Sequence, residues 1–337
     1  MIKIDGSYGE GGGALVRVAT ALSALTKKTI RIDNIRANRP RKGLSHQHLN
    51  AIEAVSKLCN AEVDGLKLGS TTIIFSPKEL EGGSLNVNIG TAGSIGLVLQ
   101  ALMIPAAFSE SKTKITITGG TDVKWAPPID YISNVTLPIL KKMGYKGKIS
   151  LLRRGYYPKG GGKVIAEIKP IKKLKPLKLI ESEIESIEGI SYASNLPKHV
   201  ADRQAKSAYN ILKKTGLDID IDVRHDNESL SPGSGIVLWA KGNTRIGSSS
   251  LGERGKRAEI VGKEAAKELL NFLNSGAPLD KYMGDQIIPY ISLTENSKVR
   301  TAEFTLHAHT NVYVVKKILG KELKIENGLG KITTIST

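Results

Sequence analysis

Two histidines, His307 and His309, stand two positions apart in "FTLHAHTNVYVV", residues 304–315, where a strand-like run gives way to a helix-like one. Three kinds of chemistry are open to such a pair. If both lie in the strand they share a face and can chelate zinc, because side chains alternate along a strand; no third ligand of comparable clarity accompanies them. They can also be ordinary packing groups with satisfied ring nitrogens. Or a neutral imidazole nitrogen can attack phosphorus and form a phosphoramidate, conserving the energy of the anhydride it cleaves.

Two other stretches suit phosphate. In "DGSYGEGGGALVR", closely spaced glycines ahead of a helix expose backbone N–H groups to an anion. Neither this loop nor "YYPKGGGKV" meets the GxxxxGK[ST] requirement of a P-loop. Glu10 inside the first cluster can hold a divalent cation beside phosphates, and Arg17, about two helical turns on, can clamp their oxygens. In "IRANRPRKGLSHQH", Arg36, Arg39, Arg41 and Lys42 precede Gln47 and His48 at a helix start. Pro40 and Gly43 shape that loop, and guanidinium forks match phosphate geometry. "GTDVKWAPPID" reads as a turn with proline opening a helix, and "YMGDQIIPY" sets Tyr282, Asp285 and Gln286 at helical spacing.

The elements that must position these residues follow from hydrophobic period. A strand around Ile2–Ile4 leads to helix "ALVRVATALSALTKK", strand "TIRIDNIR", helix "HQHLNAIEAVSKLCN" and the strands "AEVDGLKLG" and "STTIIFSP". The order then recurs: "SLNVNIG", helix "IGLVLQALMIPAAF", "TKITITGG", helix "IDYISNVTLPILKKMG", "KISLLRR" and "GKVIAEIKP". A third copy with a worn beginning comprises helix "GDQIIPYISL", strand "RTAEFTLHA", helix "NVYVVKKILG", and strands "KELKIEN" and "GKITTIS". Each unit is βαβαββ. Between copies two and three a βαββα-like block of different rhythm, residues 178–275, reads as an inserted module reached through the linker "KPIKKLKPLK". The expectation is an α/β (α+β) chain with a large domain, residues 1–177 and 276–337, and a small inserted one.

Composition narrows the partners. The chain has 337 residues, 49 Lys and Arg against 32 Asp and Glu, and a formal charge of +17, which favours a polyanion. Thirteen basic residues and one acidic residue, Glu167, lie between Lys141 and Lys178. An aromatic content of 5% argues against a wide base-stacking platform, so nucleic acid would be held over a short length, mainly through phosphates. A single cysteine, Cys59, excludes an internal disulfide framework and points to a reducing cytoplasm. No apolar run approaches the ~18 residues of a membrane span, and the N-terminus shows no secretory pattern.

Taken together, "DGSYGEGGG", "IRANRPRKGLSHQH", "GTAGS", "GGTDVKWAPP", "GYYPKGGG", "LPKHVADR", "YMGDQ" and "HAHTN", in this order, resemble the RNA 3′-terminal phosphate cyclases over essentially the whole chain. The resemblance implies a three-repeat domain related to the C-terminal fold of translation initiation factor three, with an insert of thioredoxin-like topology. It implies that His307, the histidine of a His-x-x-Thr-Asn pattern ending at Asn311, is adenylylated by ATP. AMP then passes to an RNA 3′-phosphate, and the neighbouring 2′-hydroxyl displaces it to leave a 2′,3′-cyclic phosphate. By the same resemblance Glu10 is the ligand of a divalent ion, Mg2+ or Mn2+. Arg17, Arg36 and Arg39 contact phosphates, Gln47, His48 and Gln100 are polar partners, and Pro127, Tyr282, Asp285 and Gln286 line the nucleotide pocket. Asp285 is expected to orient His307, with a helix cap at Thr310 or Asn311. The expected partners are ATP and an RNA with a 3′-terminal phosphate, with no membrane, and the chain is expected to be a monomer or homodimer. Cyclase-like scaffolds of ribosome biogenesis lack the nucleophilic histidine, whereas here that pattern and the Glu10/Arg17 loop are intact. Enolpyruvyl transferases share an ancestral repeat architecture but not these motifs.

Overall fold

The computed structural model describes all residues from Met1 to Thr337. Its strands form four sheets of four strands each. The first contains β1 (Ile2–Asp5), β2 (Ile30–Asp33), β3 (Glu62–Asp64) and β4 (Ile73–Ser76) in the order β1-β2-β4-β3. The second contains β5 (Gly83–Asn88), β6 (Thr113–Gly119), β7 (Lys146–Arg153) and β8 (Gly162–Lys169) in the order β5-β6-β8-β7. In both, the first pair is parallel and the other two pairs are antiparallel. A third sheet repeats this order and these directions with β9 (Lys178–Leu179), β14 (Lys298–Thr301), β15 (Lys324–Glu326) and β16 (Thr333–Ser336).

The worn beginning of the third run is therefore a strand of two residues. Leu179 pairs with Val299, so Lys178 and Leu179, assigned from sequence to the insert, sit with the third sheet. Lysine and proline around so short a strand left no alternation to read.

The helices of these three runs are α1 (Gly13–Thr26), α2 (His46–Leu58), α3 (Ile95–Ala106), α4 (Ile129–Tyr131), α5 (Leu137–Lys142), α8 (Lys281–Ile291) and α9 (Leu306–Leu319). Parallel strand pairs need crossovers, and α1, α3 and α8 supply them. Their apolar faces join one continuous core that includes Leu15, Leu22, Ile32, Leu99, Ile117, Ile288, Val315 and Ile335. Each such side chain contributes about 1.5–3 kcal/mol on leaving water. Between α4 and α5, Ile132–Thr136 form a π turn in which Leu137 N–H bonds to Ile132 O. Pro138 has no N–H to continue the α register, and the wider turn absorbs the defect.

The fourth sheet lies, in sequence, between β9 and α8. Strands β10 (Ile184–Ser194), β11 (Asp218–Asp226), β12 (Gly233–Gly242) and β13 (Arg245–Leu251) are ordered β11-β10-β12-β13, with α6 (His199–Leu212) and α7 (Ala258–Asn274). Its apolar core is separate and includes Ile187, Leu238, Ile246 and Leu269. The block is thus βαβββα rather than βαββα. The extra strand, "RIGSSSL", has a glycine and three serines where strands usually carry branched side chains. Small residues are needed there because a Cβ on Gly247 would stand 2.6 Å from the Tyr131 ring.

The segment of the two histidines also departs from the expected strand. The strand expected over "RTAEFTLHA" ends at Thr301, and α9 begins at Leu306 with Thr305 as its N-cap. The Thr305 hydroxyl accepts from the N–H groups of His307 and Ala308 at 3.1 Å each, so the cap is neither Thr310 nor Asn311. No helix is long and apolar enough to cross a membrane.

Candidate active site

Both histidines occupy the first turn of α9, where positions two apart point roughly 200° from one another. The shared strand face that zinc chelation would need does not arise. His309 turns away: its ring stacks on Tyr8 with centroids 5.2 Å apart, and Nε2 lies 3.3 Å from the Tyr8 hydroxyl. His307 is half exposed and faces a cleft of about 1130 Å³.

The glycine loop after β1 brings a carboxylate to that histidine. Gly9 has φ +63°, a left-handed conformation that suits glycine, and a Cβ there would strike the Thr310 hydroxyl at 2.4 Å. This close approach of loop to α9, reinforced by Glu10 N–H donating to Thr310 Oγ1 at 3.2 Å, aims Glu10. Glu10 Oε2 lies 3.0 Å from His307 Nδ1, and Oε1 pairs with Arg39. A carboxylate only accepts, so the His307 proton sits on Nδ1 and Nε2 keeps its lone pair. Burial lowers the His307 pKa; the Asp285 charge opposes this, while Arg17 and Arg39 add to it.

Asp285 does not make the hydrogen bond to His307 expected for it. It accepts from the Thr305 hydroxyl at 2.6 Å, and its backbone carbonyl accepts from Asn311 Nδ2 at 2.8 Å. Burial raises its pKa to about 7, against the lowering effects of the Thr305 hydroxyl and His307. Asp285 thus holds the cap that holds His307. No sequence spacing signalled this, because Thr305 was read as mid-strand.

Two basic elements complete the wall. Arg17, on α1, is 8% exposed, and its guanidinium makes no hydrogen bond or ion pair. Burial lowers its pKa to about 10, which leaves it charged at neutral pH. His48, at the start of α2, accepts from Ser45 N–H at Nδ1 (3.0 Å), so its proton resides on Nε2. Burial and the charges of Arg17 and Arg36 lower its pKa to about 3. Nε2 faces α1 so closely that a Cβ on Gly13 would lie 2.1 Å from it. Arg36 sits at φ +54° with its guanidinium on Gly43 O at 3.0 Å, and this bond shapes the basic loop.

The opposite wall comes from α3, the turn before α4, and α8. Gln100, Pro127, Tyr282 and Gln286 face the same cleft as Glu10, Arg17, Arg36, Arg39, Gln47, His48, Asp285 and His307. Gln286 accepts from Thr136 at 3.1 Å, and Tyr282 donates to Glu268 at 2.7 Å. Sequence reasoning missed Asn311 as a cleft residue, together with Ser250, Glu253 and Lys256 of the fourth-sheet block. Asn311 Oδ1 and Gln47 Nε2 are buried without partners, an acceptor and a donor at the cleft with unused capacity. Cys59 is buried with its pKa raised to about 11, so it offers no nucleophile.

No three ligating side chains gather to hold a metal by themselves. A lone carboxylate beside phosphate-binding groups still fits Mg2+, which usually takes one or two carboxylates and completes its shell with water and substrate phosphates. Glu10 is the residue placed to do so.

An imidazole with a free nitrogen, a carboxylate and an unpaired guanidinium around one cleft of an α/β chain fit an enzyme that works on phosphate groups. The model of a family described as RNA 3′-terminal phosphate cyclase matches residues 8–325, and the chain belongs to that family. Relatives named RNA 3′-terminal phosphate cyclase include one from Methanothermobacter thermautotrophicus, 56% identical over 99% of both chains. One from Pyrococcus furiosus is 52% identical over 98% of this chain and 97% of its own. Another, from Methanopyrus kandleri, is 47% identical over 99% and 98%.

Proposed function

We propose that the chain converts the 3′-terminal phosphate of an RNA to a 2′,3′-cyclic phosphate through an adenylylated His307. His307 Nε2 attacks the α-phosphorus of ATP; the P–N bond forms as the bond to pyrophosphate breaks. An oxygen of the RNA 3′-phosphate then attacks the same phosphorus and frees the imidazole. The 2′-hydroxyl attacks the RNA's terminal phosphorus, losing its proton to solvent as AMP departs. The last step needs positioning more than a strong base, because the ribose already holds the hydroxyl beside the phosphorus.

The observation that carries this reading is Arg17. Arg17 is largely buried and its guanidinium has no protein partner; it opens on the cleft that also presents the free nitrogen of His307. Phosphate is the anion whose geometry a guanidinium fork matches, and charge developing on it during transfer is what such a group stabilises. Arg36, Arg39, Gln47, His48 Nε2–H and Gln100 supply further contacts. Pro127, Tyr282 and Gln286 offer an apolar and polar bed for the nucleoside. Glu10 would hold Mg2+ or Mn2+, which when bound neutralises phosphate charge.

The shared order of the first three sheets supports reading residues 1–177 and 276–337 as a three-repeat domain of the initiation-factor-three C-terminal type. The separate core and the β11-β10-β12-β13 order support an inserted thioredoxin-like module, expected over 178–275 and beginning after Leu179 once β9 is counted with the third sheet.

Incubation with α-labelled ATP and a divalent ion should label the protein through an acid-labile, alkali-stable bond. His307→Ala should abolish the label and His309→Ala retain much of it. Label surviving in the first variant would sink the nucleophile assignment. An RNA ending in 3′-phosphate should acquire a phosphatase-resistant terminus, and its absence would favour a binding protein.

A further inference from the structure

Trp125 has no part in the chemistry above, yet it is unusually placed. It is 95% exposed on the loop between β6 and α4, and it lines the mouth of the cleft. Its backbone has φ +61°, a conformation that residues other than glycine and asparagine seldom adopt. A large indole standing in water on a left-handed backbone buries almost no apolar surface in the free protein.

The loop beneath it is tied down by hydrogen bonds. Thr121 N–H donates to Gly155 O, and Gly155 N–H donates to Thr121 Oγ1, at 2.8 Å each. Next to these in sequence, Asp122 and Arg154 form a buried ion pair at 3.2 Å, extended by Asp130 at 2.6 Å from Arg154 and the Tyr192 hydroxyl at 2.6 Å from Asp122. This clamp ties the Trp125 loop to the loop that carries Tyr157, itself 80% exposed. Around that second loop lie Arg153 and the exposed Lys159 and Lys163, part of the basic run from Lys141 to Lys178.

We propose that Trp125 is the stacking platform for a base at the 3′ end of the RNA substrate. The strand continues from there over the loop of Tyr157, with Lys159 and Lys163 along its phosphates. This inference rests on the cyclisation reading above. An aromatic ring stacks on any base, so the site takes single-stranded RNA with little sequence preference. Trp125 is a positioning residue: it sets where the terminal ribose lies and touches neither His307 nor ATP. The adenine of ATP is the competing partner for the indole. Tyr282 and Pro127 already offer it a bed within the cleft, whereas Trp125 is almost wholly outside the protein surface.

The chain has two tryptophans, and Trp239 is buried with its indole N–H on Glu188 at 3.1 Å, so fluorescence changes on binding report Trp125. Titration with a short oligoribonucleotide ending in 3′-phosphate should quench the wild type and leave Trp125→Phe silent. In Trp125→Ala the KM for that RNA should rise roughly 5- to 100-fold, the range expected for one lost stacking contact. Trp125→Phe should recover most of it. ATP-dependent labelling of Trp125→Ala should match wild type, and RNA with an abasic terminal nucleotide should erase the difference between the two proteins. Absence of quenching, or an unchanged KM in Trp125→Ala, overturns the proposal. Equal loss of labelling and RNA affinity overturns it in favour of adenine stacking. Labelling and cyclisation by the wild type test the underlying reading separately, and quenching is read without catalysis.

Discussion

Arg17 is held in the cleft wall at some cost to the fold. Lowering its pKa from 12.5 to about 10 corresponds to about 3 kcal/mol of unfavourable burial. At pH 7 the group is charged in both the folded and unfolded states, so this penalty is constant through neutral pH and is relieved only as pH nears 10. Replacing the charge by an apolar chain of similar length should therefore stabilise the free protein. Arg17→Met is expected to gain about 1–3 kcal/mol in urea unfolding at pH 7. It should slow labelling from ATP about 100-fold or more. A variant no more stable than wild type would mean that the guanidinium finds compensation in solvent. The residue types around it were legible from sequence because phosphate chemistry needs glycine, carboxylate and guanidinium in close order. The tautomers were not, since Glu10 and His307 lie far apart in the chain and only the fold shows which nitrogen each partner occupies.

At the scale of elements, alternation and helical period were enough to place most of the sheets and helices, and they failed where side-chain hydrogen bonds decide the backbone. "EFTLHA" alternates like a strand, yet Thr305 turns it into a helix start by accepting from two backbone N–H groups. The same hydroxyl donates to Asp285, so one side chain joins α8, α9 and the candidate nucleophile. Thr305→Val should cost about 1–2 kcal/mol as a lost cap. Because one of the released N–H groups belongs to His307, the labelling rate should fall about 10-fold with little change in KM for ATP. Thr305→Ser should restore both, since it keeps the hydroxyl. A Val variant that is destabilised but labels at the normal rate would show that the cap supports the helix without positioning the ring.

At the scale of the molecule, the change of rhythm marked the block between β9 and α8, but nothing in sequence announced how it docks. The contact joins a buried apolar cluster, in which Tyr131, Val135 and Tyr156 meet Ile190, Tyr192, Val237 and Trp239, to polar groups distant in the chain. Arg154 lies between Asp122 and Asp130 with all three nearly buried, its guanidinium 3.5 Å over the Tyr192 ring. Asp280, the cap of α8, accepts from Tyr131 at 2.7 Å and from Gly247 N–H at 2.8 Å, and burial raises its pKa to about 6. Through these groups the fourth sheet is held where Ser250, Glu253 and Lys256 close one side of the cleft. Burying three charges stabilises little in total, but removing one partner strands the others. Arg154→Met should therefore cost about 3–5 kcal/mol, and the double variant Asp122→Asn/Arg154→Met should recover part of that loss. Urea unfolding of the three proteins, with ATP labelling measured in parallel, decides the point. If the cluster fixes the cleft wall, labelling should fall in Arg154→Met under conditions where the protein remains folded. Full labelling from a destabilised but folded variant would show that the first three sheets assemble the nucleotide site without the docked block.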